Sequence, residues 1–123
     1  MATYTVDFTS KNHPTNVDAV NVGLRVSKDE EYFQFFLAAV SGVDLATASI
    51  TPDDRWWSAL AFVGIEAIKN EIRQGFAPNL NPAEATMIPI SAASVTEVAA
   101  SSIDLPELID GLFTGQEIAS FEL

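Results

Sequence analysis

The stretch Thr51-Pro52-Asp53-Asp54-Arg55-Trp56-Trp57-Ser58-Ala59-Leu60-Ala61-Phe62-Val63-Gly64-Ile65-Glu66-Ala67-Ile68-Lys69-Asn70-Glu71-Ile72-Arg73-Gln74-Gly75 decides how the rest of this 123-residue chain is read. Thr51 offers a capping hydroxyl. Pro52 suits the first helical position, where no amide hydrogen is needed, and Asp53 and Asp54 put negative charge at the positive end of the helix dipole. Gly75 supplies the stop and Pro78 lies just beyond it. A helix over 52–74 would be about 34 Å long at roughly 1.5 Å per residue. That is the width of a domain this small, which makes the helix its central scaffold.

On a helical wheel, Trp57, Leu60, Ala61, Gly64, Ile68 and Ile72 share one face, and Arg55, Ser58, Phe62, Glu66, Lys69 and Arg73 share the opposite one. Phe62 thus sits inside the polar stripe, and Trp56, Val63 and Ile65 widen the apolar surface around it. A helix apolar around most of its circumference needs cover on more than one side. Two readings follow. Either the C-terminal part of the chain folds back over the helix, or Trp56, Phe62, Val63 and Ile65 form a contact with another protein, where Trp and Phe are favoured anchors. Gly64 adds a second clue, because glycine inside a helix costs about 1 kcal/mol relative to alanine. Close approach of a neighbouring backbone would offset that cost.

Working outward toward the N-terminus, Tyr4, Val6 and Phe8 alternate with Thr5, Asp7 and Thr9, and Val20, Val22, Leu24 and Val26 alternate with Asn21, Gly23 and Arg25. Two strands, paired antiparallel across the polar loop at 10–16, account for this. Ser27-Lys28-Asp29-Glu30 fits a capping box, so a short helix carrying Phe33, Phe36, Leu37 and Val40 is predicted, stopped by Gly42. Toward the C-terminus, Phe76 to Pro82 reads as a loop and Met87-Ile88-Pro89-Ile90 as an edge strand. Residues 91–102 read as a helix, and Asp104-Leu105-Pro106-Glu107 as another helix start, stopped by Gly111. Glu117 to Leu123 fits a short strand or a last helical turn.

The fold expected is α+β: a small N-terminal antiparallel strand pair packed on a short and a long central helix, with an irregular acidic C-terminal third. Residues 1–75 form a compact body. Residues 76–123 form an acidic segment, either part of the same domain or a docking arm.

Charge supports that division. Seventeen acids against six bases give a net charge of −11, and all six bases lie at or before Arg73. Residues 74–123 carry only acids: Glu84, Glu97, Asp104, Glu107, Asp110, Glu117 and Glu122. They stand singly among Ile, Leu, Val and Phe, the pattern of a folded or docking segment and not of a disordered acidic tail.

Such a balance argues against direct nucleic-acid binding, which needs clustered Lys and Arg. The absence of cysteine excludes disulfides, thiolate metal sites and cysteine nucleophiles. The most apolar window, 56–65, is too short to span a bilayer, and the N-terminus has no signal-peptide pattern, so a cytoplasmic protein or a component of a soluble particle is expected. The single histidine, His13, lies in a polar loop beside Pro14, and no nucleophile elbow, phosphate loop, calcium loop or dinucleotide fingerprint occurs. No catalytic residue, metal site or cofactor is therefore expected.

Two functions fit this profile. One is a non-enzymatic assembly or interaction protein, such as a small virion or decoration component, whose partner is a protein and in the first instance itself. The other is an acidic mimic of nucleic acid that occupies a basic protein groove.

Overall fold

The computed structural model describes residues 1–12, 19–77, 85–109 and 112–123. His13, Asp18, Pro78, Pro82, Asp110 and Gly111 lie outside them, as does most of each loop they belong to. The class is α+β, built on a five-stranded sheet in the order β4-β3-β2-β1-β5. Its strands are β1 (Thr3–Lys11), β2 (Ala19–Lys28), β3 (Glu31–Ser41), β4 (Ala85–Pro89) and β5 (Leu112–Glu122). The helices are α1 (Gly42–Thr47), α2 (Asp54–Arg73) and α3 (Ala92–Ala100). The pairs β3–β2, β2–β1 and β1–β5 are antiparallel, whereas β4 lies parallel to β3 after the crossover through α2.

The short aromatic helix expected over 27–42 is instead the hairpin of β2 and β3. Asp29 and Glu30 form its two-residue loop with φ of 49° and 69°, the left-handed geometry whose twist matches the flanking strands. Asp29 also ties this loop to β1: its Oδ1 accepts from the Thr3 amide at 2.9 Å, and its own amide donates to the Thr3 carbonyl at 2.8 Å. β3 is an interior strand buried on both faces from Phe33 to Val40, with only Phe35 partly exposed. Such a strand shows no alternation, so the three-and-four spacing of its apolar residues carried no helical meaning. Between the pairs Val26–Gln34 and Ser27–Tyr32 the register slips, leaving Phe33 unopposed; its ring stands edge-on to Tyr4 at 5.4 Å. Gly42 opens α1 instead of closing a helix, and the Ser41 hydroxyl caps that helix by accepting from the amides of Val43 and Asp44.

α2 lies across one face of the sheet, so the core is the layer between them: Val6, Phe8, Val22, Leu24, Val26, Phe36, Ala38 and Val40 below, Leu60, Ala61 and Ile68 above. Its start falls two residues later than the sequence suggests. The carboxylate of Asp53 caps it by accepting from the Trp56 amide at 2.8 Å, leaving Thr51 and Pro52 outside. Its end follows the expectation closely. Gly75, at φ 87°, turns the chain so that the Gly75 amide donates to the Ile72 carbonyl and the Phe76 amide to the Glu71 carbonyl, each at 3.1 Å. The turn delivers the Phe76 ring to within 5.4 Å of Phe36.

The C-terminal third is regular for much of its length, because β4 and β5 supply the two edges of the sheet and α3 packs on α2. No helix begins at 104–107; residues 102–109 run without regular structure. β5 is longer than the short terminal element expected.

Candidate functional site

Two grooves flank α2, one toward α3 and the other toward β5, and Phe62 lines both. The first, about 380 Å³, is bounded by Phe62, Val63 and Glu66 of α2, by Ser94, Glu97 and Val98 of α3, and by Ser101 and Ile103. The second, about 370 Å³, lies between Phe62, Ile65, Glu66 and Lys69 on one side and Asp104, Leu105, Pro106, Ile118 and Ala119 on the other. Both have largely apolar linings with carboxylates at the rim.

α3 is placed by its N-terminus: the Ser91 hydroxyl accepts from the Ser94 amide at 3.2 Å, and the Asp44 carboxylate accepts from the Ala92 amide at 2.8 Å. Where α3 ends, Arg55 takes over. Its Nε donates to the Ala99 carbonyl at 2.6 Å, and its Nη2 to the carbonyls of Ser101 at 2.7 Å and Ile103 at 3.2 Å. A cation on carbonyls left over at a helix C-terminus is favoured by both hydrogen bonding and the helix dipole. Further along, Gln116 of β5 clasps the strap at 107–109, accepting from the Ile109 amide at 2.8 Å and donating to the Glu107 carbonyl at 2.6 Å.

Arg55→Ala removes three charge-assisted bonds from the turn that shapes the first groove. A loss of about 1–2 kcal/mol is expected, read by chemical denaturation, together with faster amide exchange at Ile103. Lysine should not restore it, since a single ammonium lacks the guanidinium's planar fork.

The four residues singled out from sequence divide. Trp56 and Ile65 are buried within the chain, at 4% and 6% exposure. Trp56 stands edge-on to Trp57 with ring centroids 6.0 Å apart, and its indole N–H meets no acceptor among the described residues. Phe62 and Val63 stay half-buried, facing the grooves. The fold-back of 101–109 covers part of the surface that the helix alone would expose, with Leu105 and Leu108 packed against the core, and Ser58, expected on the polar face, is buried. Sequence reading missed Val98 and Ile103, the latter 42% exposed beside Phe62. Their only advance signal was apolar residues spaced among single acids after residue 90.

Comparison with protein-family models, characterised proteins and solved structures returned no match.

The charges around the grooves are mostly negative. Glu66 pairs with Lys69 at 3.2 Å, and the Lys69 ammonium also lies 5.1 Å from the centre of the Phe121 ring. Glu97 and Asp104 are exposed and meet no cation among the described residues. A third hollow, about 130 Å³, is lined by Lys11, Asp54, Trp57, Ser58, Glu107 and Leu108, and the Lys11 ammonium lies 5.3 Å from the Trp57 ring centre. Among the described residues, no three His, Asp or Glu side chains gather where they could hold a metal ion. No helix there is long and apolar enough to cross a membrane.

Proposed function

We propose that the protein is a non-enzymatic interaction protein that joins an assembly, such as a virion or another soluble particle, through the outer side of α2. The observation that carries this reading is the position of Phe62. A large aromatic side chain, only partly buried, lines two largely apolar grooves on a helix whose other aromatics, Trp56 and Trp57, pack on the protein's own core. Aromatic anchors flanked by unfilled apolar pockets are where the binding energy of protein contacts concentrates. Val63 and Ile103 extend the same surface.

Phe62→Glu tests the reading. The variant should lose about 1 kcal/mol of stability or less, as partly exposed positions do, while losing whatever assembled mass the wild type shows by light scattering behind a sizing column. A wild type that runs as a single chain at high concentration removes self-association and leaves a different protein as the partner. A variant whose melting collapses places Phe62 in the core and removes the reading altogether.

A further inference from the structure

The two grooves have apolar floors and acidic rims, and the distribution of charge along the chain explains why. The walls supplied by α3 and by residues 103–106 come from the last 50 residues of the sequence, 74–123, which contain no Lys or Arg. Glu97 and Asp104, one on each groove, face no cation among the described residues, and the nearby Lys69 is held by Glu66 and the Phe121 ring. An occupant must therefore match oil on the inside and negative charge at the margin.

A second copy of this chain fits that requirement poorly. It would bring a net charge of −11 toward another −11. Its few bases are largely committed: Lys11 to Trp57, Arg25 to Tyr32, Arg55 to three carbonyls and Lys69 to Glu66. Nucleic acid fits worse, since its phosphates would face the carboxylates.

We infer that the grooves take an amphipathic, basic segment of a different protein: apolar side chains settle on either side of Phe62, and Lys or Arg flank them opposite Glu97 and Asp104. This rests on the reading of Phe62 as a contact residue and names its partner. The acidic surface steers such a segment in, the apolar floor holds it, and binding relieves part of the chain's self-repulsion.

Three labelled probes, titrated into the 123-residue chain, test it. One is a helical leucine–lysine peptide with one apolar face, the second replaces its lysines with glutamates, and the third keeps the lysines but replaces leucine with serine. The leucine–lysine peptide should bind, and the other two should bind roughly tenfold more weakly or less. Phe62→Ala should weaken the first peptide about thirtyfold or more. Glu97→Gln and Asp104→Asn, both at exposed positions that leave folding untouched, should each weaken it roughly two- to fivefold and flatten its salt dependence. If the glutamate peptide binds as well as the lysine one, charge selection is overturned while the contact surface stands. If neither leucine peptide binds, both fall. Binding that ignores Phe62→Ala lies elsewhere on the acidic surface and overturns the inference too.

Discussion

Gly64→Ala should destabilise the protein by about 1–3 kcal/mol, although the same change in an exposed helix would stabilise it by about 1 kcal/mol. The sign reverses because α2 rests on the sheet at this residue. A Cβ built on Gly64 would lie 2.7 Å from the Cβ of Ala38 and 3.2 Å from Cδ1 of Leu24. The Ala38 methyl is fixed to its backbone and cannot swing aside, and Leu24 is fully buried in the core. The helix would have to lift from β2 and β3, loosening the contacts of Leu60, Ala61 and Ile68 along the same face. A drop in melting temperature on the order of 5–10 °C should accompany the change, with the denaturant slope unchanged because the same surface is exposed on unfolding. An alanine variant more stable than wild type would mean that helix and sheet are not in contact here. The geometry also identifies the neighbour that offsets the cost of a mid-helix glycine: it is the protein's own sheet, not another chain.

The parts of this fold that could be read from sequence are those whose signals are local. α2 carries an acidic start, a long apolar face and a glycine stop within one continuous stretch. Its cap was misplaced by two residues because Thr51 and Asp53 both carry capping oxygens, and only geometry shows which one meets the Trp56 amide. β1 showed its alternation because Thr5 and Asp7 are partly exposed between buried Tyr4, Val6 and Phe8; the pattern breaks at Thr9, which is buried where the register shifts. β3 hid itself because neighbours on both edges and burial on both faces leave no polar phase to betray a period of two. The parallel pairing of β4 to β3 could not be foreseen, since it depends on where the α2 crossover returns the chain. At the candidate site, Phe62 was legible as an apolar residue out of place on a polar stripe. The opposing groove walls were not. Apart from Ile118 and Ala119 of β5 they come from Ser94 to Pro106, where an arginine holds backbone carbonyls, and backbone carbonyls leave no mark in a sequence.

Phe36→Ala should be the most damaging single truncation considered, at about 3–5 kcal/mol. Small domains have only about 5–15 kcal/mol in total, so the variant should be marginally folded or unfolded near body temperature. Phe36 is fully buried at the centre of β3, opposite Leu24 on β2 and Thr86 on β4, with its ring 5.4 Å from Phe76. Truncation leaves a cavity that cannot collapse, because strands on both sides are fixed by their ladders. It also removes the surface on which Phe76 rests, so the C-terminal turn of α2 should fray and lose amide protection at Gly75 and Phe76. Phe36→Leu should recover most of the stability by refilling the space. The contrast with Phe62 is the informative part. Two phenylalanines in one small protein should differ several-fold in what their truncation costs the fold, and in the opposite order in what it costs binding. If Phe36→Ala melts within a few degrees of wild type, β3 does not present this residue to the core, and the assignment of aromatics between interior and contact surface has to be redrawn.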